Sequence, residues 1–183
     1  MHLGMVQASL NKDIQVSAQN VSLTGTGAFT GEISCAHLKD YQIGWAIVGH
    51  SERRALFGET NQAVGQKTKV ALDNNLSTIT CIGETLAERE SGATFEIVSA
   101  QLEAVRSVLD TQDWGKVVIA YEPVWAIGTG KVATPEIAQE VHAHIRRWLA
   151  EKVSQEVSNA TRVIYGGNFP QNNFPNETCR FSH

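Results

Sequence analysis

The chain of 183 residues contains little cysteine, no block of basic residues and no long apolar run. Its three cysteines, Cys35, Cys81 and Cys179, have neither the spacing of a disulfide framework nor that of a metal site. They predict buried thiols in a reducing, cytoplasmic compartment, with no bound metal. No segment approaches the roughly 20 apolar residues that cross a bilayer. No signal-peptide pattern follows Met1, so the sequence predicts no membrane association.

The charge balance predicts neither nucleic acid nor an anionic membrane as a partner. Fifteen Lys and Arg against 19 Asp and Glu give a formal net charge of -4, and the basic residues are scattered. Binding of phosphate backbones or lipid headgroups needs a concentrated positive patch. With 42% hydrophobic and 19% charged residues, the composition is typical of a globular domain.

Short apolar segments, mostly β-branched, alternate with amphipathic segments along the chain. The apolar segments predict strands at 14–18, 45–48, 77–82, 116–121 and 162–165. The amphipathic segments repeat apolar residues on one helical face at 95–109 and again at 137–149. This alternation predicts an α/β fold in which right-handed crossovers join parallel strands. No linker, second domain or longer repeat interrupts it.

The most informative segment is 120–131, with the sequence AYEPVWAIGTGK. The apolar residues before it predict a strand buried on both faces, and Glu122 ends that strand directly before a proline. After a loop with two glycines, Thr134 and Pro135 provide the cap and first turn of a helix. Catalytic groups of α/β proteins lie at such strand ends. A solvated glutamate in a turn is the alternative for an isolated strand end.

A second segment, 45–54, has the sequence WAIVGHSERR and places His50 at a strand end where a helix begins. A helix amino terminus favours the neutral imidazole, which could then act as an electrophile. A lone histidine more often has a structural role. Glu52 has two interpretations of nearly equal weight, as a group that orients the catalytic residues or as an acid stabilised at a helix start.

These segments resemble two parts of the triosephosphate isomerase family: the lid with its catalytic glutamate, and the fourth strand with its catalytic histidine. Other motifs that resemble the family follow the same order: the third strand and inter-subunit loop (18–20, 27–34), the fifth strand end (81–85) and the seventh (165–167). The chain is identified on these motifs, from Leu3 to Asn168, as a member of the family. The resemblance implies a (β/α)8 TIM barrel.

Parts of the family pattern have no counterpart in the 183 residues. A TIM barrel takes about 250 residues, and the first two strands and the eighth are not found. We therefore expect an incomplete barrel of about five parallel strands with helices outside, formed by 1–168, and an unrelated, disordered tail at 169–183. The family's lysine after the first strand and the phosphate loop of the eighth strand also lack counterparts. We expect little or no isomerase activity from this chain by itself.

The resemblance implies an isomerase of glycolysis and gluconeogenesis that interconverts dihydroxyacetone phosphate and glyceraldehyde 3-phosphate through an enediolate. Glu122 would be the base and His50 the electrophile, with Ser51 and Glu52 in support and no cofactor. The alternatives are a catalytically defective member of the family and, less favoured, another barrel enzyme that handles phosphates.

Binding roles also follow from the resemblance. Backbone groups of Gly128, Gly167 and Asn168 would bind the substrate phosphate, although the family usually has serine where Asn168 stands. Thr30, Glu32 and Arg53 would lie at a homodimer interface formed through the loop 27–34. The lid would comprise Pro123, Val124, Trp125, Ala126, Ile127, Gly128, Thr129, Gly130, Lys131, Val132 and Ala133.

Overall fold

The computed structural model describes residues 2–127 and 132–168. Within them, five strands form one sheet: β1 (Ser17–Ala18), β2 (Trp45–Val48), β3 (Ser77–Ile82), β4 (Val117–Tyr121) and β5 (Arg162–Tyr165). The strands are hydrogen-bonded in sequence order, and every pair is parallel. The described sheet is open, with β1 and β5 at its edges. This confirms the predicted α/β fold and the incomplete barrel of five parallel strands.

The predicted first strand is the least accurate element. Only Ser17 and Ala18 pair with β2, opposite Trp45 and Ala46. Ile14 instead closes a turn, its N–H donating to the Asn11 carbonyl over 2.9 Å, and its side chain is exposed. The β-branched residues of 14–16 favour an extended backbone, but a strand also needs a neighbour at each position.

Eight helices flank the described strands. They are α1 (Leu3–Ser9), α2 (Cys35–Asp40), α3 (Ser51–Phe57), α4 (Asn61–Asp73), α5 (Leu86–Glu90), α6 (Thr94–Arg106), α7 (Pro135–Lys152) and α8 (Gln155–Ala160). Two 3₁₀ segments, Thr111–Lys116 and Val124–Ala126, lie on either side of β4. None of the described helices is both long enough and apolar enough to span a membrane.

Short polar side chains begin several of these helices. Thr60 caps α4 by accepting the Ala63 N–H, and Thr85 forms a reciprocal capping box with Glu88 at α5. The predicted cap at Thr134 is confirmed: its hydroxyl accepts from the backbone at the start of α7, where proline occupies the first turn.

Two apolar clusters hold the sheet against its helices. The larger lies between β4 and the predicted helical faces, now α6 and α7, and includes Val98, Leu102, Val105, Ile119, Tyr121, Val141, Ile145 and Leu149. The smaller surrounds β1 and β2 and includes Ala18, Val21, Leu38, Ile43, Ala46 and Val64. All five β4 residues are buried, as predicted for a strand covered on both faces. Because the strands are parallel, their carboxyl ends meet along one rim.

Candidate active site

Glu122 lies on this rim, immediately after β4. Its backbone N–H donates to the Ile82 carbonyl at the end of β3 over 2.8 Å, which fixes where the chain leaves the sheet. The residue is only 5% exposed, an unusual environment for a carboxylate. The side chain therefore depends on the few polar groups that reach it.

Two of those groups come from the start of α3. The Ser51 N–H donates to Glu122 Oε2 over 3.2 Å, and His50 Nε2 lies 3.2 Å from Glu122 Oε1. The sequence separates these partners by about 70 residues, and only the parallel sheet brings β2 and β4 to the same rim. The structure thus places both predicted catalytic residues in contact.

The other ring nitrogen of His50 determines its tautomer. His50 is the N-cap of α3, and its Nδ1 accepts the Glu52 N–H over 3.3 Å. A nitrogen that accepts carries the lone pair, so in the neutral ring the proton is on Nε2. His50 therefore presents an N–H donor on the side that faces Glu122. The Glu52 side chain is largely exposed, and its Oε2 lies 3.8 Å from Nδ1, so the backbone N–H makes the hydrogen bond.

Burial raises the pKa of the Glu122 carboxyl, because the surrounding protein disfavours its charged form. His50, the Ser51 N–H, the Cys81 thiol and Arg54 oppose that effect, but the net direction is upward. A carboxylate with a raised pKa is a stronger base than a solvated one. The site thus places a desolvated carboxylate beside an imidazole N–H donor.

Cys81 and Arg54 also act on the Glu122 carboxyl, and these roles were not predicted from the sequence. The buried Cys81 thiol hydrogen-bonds to Glu122, and its own pKa is raised by burial and then by the Glu122 charge, so it remains protonated. Arg54 donates to the Gly49 carbonyl over 2.9 Å and to the Cys81 carbonyl over 3.2 Å, which joins the ends of β2 and β3.

Glycines after β5 close the other side of the site. The Gly166 N–H donates to the Tyr121 carbonyl over 2.8 Å, and a Cβ at Gly166 would lie 2.9 Å from Glu122 Cγ. A Cβ at Gly167 would overlap the Tyr165 hydroxyl. Only a backbone without side chains approaches the base this closely.

Comparison with known proteins agrees with this geometry. A model of the family described as triosephosphate isomerase matches residues 1–178. The triosephosphate isomerase of Paracoccidioides lutzii is 53% identical over 173 residues, which are 94% of this chain and 70% of that protein. The chain belongs to the triosephosphate isomerase family.

Two further relatives carry the same name. The triosephosphate isomerase of Aspergillus oryzae is 55% identical over 91% of this chain, and the cytosolic triosephosphate isomerase of Oryza sativa subsp. japonica is 54% identical over 90%. The matches cover 66% and 64% of those proteins. The chain thus spans about two thirds of the length of the relatives that it matches. The relatives are, by name, isomerases.

The described residues include both ends of the lid that is expected for a triosephosphate isomerase. Trp125 and Ala126 lie in the 3₁₀ segment after Glu122 and are buried, and Val132 and Ala133 precede the cap of α7. Gly128, Thr129, Gly130 and Lys131 lie outside the described residues. The lid and its phosphate contact at Gly128 therefore stay predictions.

The 3₁₀ segment Val124–Ala126 is held by Glu84, a role that was not predicted from the sequence. Glu84 is completely buried, and its carboxylate accepts from the Trp125 indole N–H over 2.9 Å and from the Tyr121 hydroxyl over 3.1 Å. The Val124 N–H donates to the Glu84 carbonyl over 3.1 Å. An acid two residues after an apolar strand was the available signal.

Asn168 contacts the same 3₁₀ segment. Its side-chain amide donates to the Ala126 carbonyl over 3.1 Å, and its own carbonyl accepts from the Tyr165 hydroxyl over 3.4 Å. The Asn168 side chain thus reaches the end of the 3₁₀ segment Val124–Ala126. The tail that follows, 169–183, lies outside the described residues, as does Cys179.

The three residues predicted for the dimer interface lie in two places. Thr30 and Glu32 are exposed in the loop 27–34. Arg53 is half-buried, forms an ion pair with Glu59 in the same chain, and stacks over the Phe57 ring at 4.5 Å from its centre. Arg53 is therefore held in place within its own chain.

The described residues contain no group of three or more His, Cys, Asp or Glu side chains with the geometry of a metal site. Cys35 and Cys81 are both buried free thiols.

Proposed function

We propose that this site catalyses the interconversion of dihydroxyacetone phosphate and glyceraldehyde 3-phosphate. The observation that carries the proposal is the approach of Glu122 Oε1 to His50 Nε2, 3.2 Å apart, with both side chains oriented by backbone N–H groups at the start of α3. A ketose and its isomeric aldose interconvert when a base moves one proton between two adjacent carbons. A hydrogen-bond donor stabilises the oxygens on those carbons during the transfer.

Starting from the ketone, the Glu122 carboxylate takes a proton from the hydroxymethyl carbon while the His50 Nε2–H donates to the carbonyl oxygen. The carbon–hydrogen electron pair moves into a carbon–carbon double bond and produces an enediolate. Glu122 then returns its proton to the neighbouring carbon, while the hydroxyl proton of the first carbon passes to the former carbonyl oxygen through His50 Nε2, which yields the aldehyde. Burial favours the first step, because it raises the pKa of the base.

The imidazole suits this role for a geometric reason. Since Nδ1 accepts the Glu52 N–H, the Nε2 proton points into the site rather than toward the helix. The substrate would place its oxygens against this donor and its carbon against the base, and would thereby replace the direct contact of His50 Nε2 with Glu122 Oε1. Ser51 contributes through its backbone N–H, which holds Glu122 Oε2. Glu52 contributes through its backbone in the same manner.

The phosphate would bind near Gly167, Asn168 and Gly128, at the carboxyl ends of the last described strand and of β4. Closure of the lid 123–133 would exclude water from the enediolate. Support comes from the 3₁₀ segment Val124–Ala126, which Glu84 and Asn168 hold from both sides.

A homodimer formed through the loop 27–34 is part of the proposal. That loop exposes Phe29 and Ile33, while α3 exposes Leu56 and Phe57, of which Phe57 is 66% exposed. Apolar side chains of this size are enriched at subunit interfaces. Sedimentation of wild-type protein and of Phe29→Ser tests this part, with a concentration-dependent dimer expected only for wild type.

The cellular setting is proposed by analogy. The rice relative is named cytosolic, and a cytoplasmic enzyme of glycolysis and gluconeogenesis is the role that we propose here as well.

The test uses the chain in a complete context. Residues 1–168 are joined to those segments of the Aspergillus oryzae relative that lie outside the match, which gives a protein that we call the completed chain. We expect it to turn over dihydroxyacetone phosphate in a coupled assay. The 183-residue chain by itself should be slower by at least about 10²- to 10³-fold, the usual effect of losing one preorganised electrostatic contact.

Glu122→Gln in the completed chain should lower kcat/KM by about 10²- to 10⁴-fold, since it removes the base. The control is the same change at Glu103, a half-buried residue of α6 that pairs with Arg106 and lies outside the site. Retained turnover in Glu122→Gln, or an equal loss in Glu103→Gln, would contradict the proposal.

A further inference from the structure

Gly83 has two buried backbone groups that point away from β4. On either side of it, the Ile82 carbonyl accepts from the Glu122 N–H and the Glu84 carbonyl accepts from the Val124 N–H. Because the backbone alternates, the N–H and carbonyl of Gly83 face the opposite direction. The pairing of β2 with β3 ends at Thr80, so β2 does not reach them. Buried backbone groups need partners from elsewhere.

Gln101, a buried side chain of α6, provides both partners. Its Oε1 accepts the Gly83 N–H over 2.7 Å, and its Nε2 donates to the Gly83 carbonyl over 3.0 Å. The side-chain amide has the donor and acceptor of a peptide group, and it occupies the place that a neighbouring strand would otherwise take. The helix thereby fixes the position of the Gly83 backbone, directly after β3.

The Gly83 backbone lies directly against the backbone of Glu122. A Cβ at Gly83 would overlap the Glu122 carbonyl oxygen, so the two backbone segments approach as closely as glycine permits. The Glu122 N–H is hydrogen-bonded to Ile82, the residue before Gly83. A displacement of Gly83 therefore displaces the backbone from which the carboxylate extends toward Ser51 and His50.

We propose that Gln101 is a positioning residue for Glu122. It acts through Gly83 and holds the carboxylate within reach of the Ser51 N–H and His50 Nε2. The proposal rests on the proposed function only where Glu122 is called the base; the placement of Glu122 is a separate, measurable property.

The Ser51 amide reports this placement. It lies at the first position of α3, where no helical carbonyl is available, and it donates to Glu122 Oε2. Its hydrogen exchange therefore responds to the carboxylate. The Ala71 amide, inside α4, reports the general stability of the same protein.

The experiment compares Gln101→Met with wild type by amide exchange in the 183-residue chain. Methionine keeps the length of the side chain and removes both hydrogen bonds. We expect Ser51 protection to fall about 10-fold more than Ala71 protection. An unchanged ratio of the two would overturn the proposal, because Gln101 would then contribute only to general stability.

Val105→Ala is the matched control, since it weakens the core on the same helix without a hydrogen bond to Gly83. It should leave the Ser51-to-Ala71 ratio unchanged, and a fall equal to that of Gln101→Met would refute the specific role. If Gln101→Met does not fold, Gln101→Glu decides in the same way. Glutamate keeps the acceptor for the Gly83 N–H, and a preserved ratio in that folded variant overturns the claim about the Gly83 carbonyl.

Kinetics of the completed chain separate this inference from the proposed function. Gln101→Met should lower kcat by about 10- to 100-fold, the effect of displacing a catalytic group by a fraction of an ångström to 1 Å, with KM within a factor of about two. If the completed wild-type chain has no turnover, the proposed function fails, while the exchange ratio still decides the role of Gln101.

Discussion

Two buried glutamates, Glu84 and Glu122, follow neighbouring strands of the same sheet and yet have different surroundings. Glu84 is wholly buried and accepts from the Tyr121 hydroxyl and the Trp125 indole, with the Arg89 guanidinium 3.4 Å away. Glu122 is nearly as buried, but its neighbours are one backbone N–H, one thiol and one imidazole.

The difference shows how two carboxylates of similar burial can have different kinds of donor. Around Glu84 a hydroxyl, an indole N–H and a guanidinium are present: burial, followed by the Glu84 charge, raises the pKa of Tyr121, so its hydroxyl stays protonated and keeps donating. Around Glu122 one backbone N–H, one thiol, one imidazole and the Arg54 charge do not offset burial, and the pKa of the carboxyl rises. The kind of donor, and not the depth in the protein, distinguishes the two sites.

The largest expected effect is on stability at Glu84. Glu84→Leu leaves the Tyr121 hydroxyl and the Trp125 N–H buried without their acceptor, and we expect the free energy of unfolding to fall by about 3–5 kcal/mol. Urea denaturation of the completed chain measures it, with Glu88→Leu at the exposed capping box as the control. A loss below about 1 kcal/mol would mean that Glu84 is no better satisfied than Glu122.

The opposite sign is expected at Glu122. Glu122→Gln replaces a poorly compensated carboxylate with a neutral amide, and we expect it to raise the free energy of unfolding at neutral pH by about 0.5–2 kcal/mol. The sign follows from the raised pKa: a carboxyl that holds its proton more tightly when folded destabilises the fold progressively as pH rises from its ordinary pKa to its raised one. The gain should therefore shrink as the pH falls below the raised pKa and vanish near the ordinary value of 4.5. A destabilising Glu122→Gln would place both glutamates in one class.

The smallest expected effect is on the pH dependence of kcat/KM. Because Glu122 must be ionised to act as a base, kcat/KM of the completed chain should fall as pH decreases through its raised pKa, above the ordinary value of 4.5. The acid limb of the pH profile measures this. A limb at or below 4.5 would show that burial does not control the base.

Local patterns in the sequence predicted most of the elements that carry the site. β2, β3 and β5 have the predicted bounds, and β4 differs by one residue at its start. Strands of this kind are recognised because apolar, β-branched runs contain their own signal. β1 was overestimated, since composition cannot report whether a neighbouring strand is available for pairing.

The candidate site divides in the same way. Glu122 and His50 were predicted from motifs that are contiguous in the sequence, whereas Glu84 and Gln101 were missed. Their roles depend on partners that are 18 to 41 residues away, the indole of Trp125 for Glu84 and the peptide of Gly83 for Gln101. No local pattern distinguishes such a buried polar residue from an exposed one.

The sequence by itself determined the strand–helix alternation, the acid at the end of β4 and the histidine at the start of α3, because each depends on residues adjacent along the chain. The tertiary structure decided the rest: which nitrogen of His50 faces Glu122 and which donors reach Glu122 and Glu84. The physical reason is that solvation and hydrogen bonding of a buried group depend on atoms that only the folded sheet brings together.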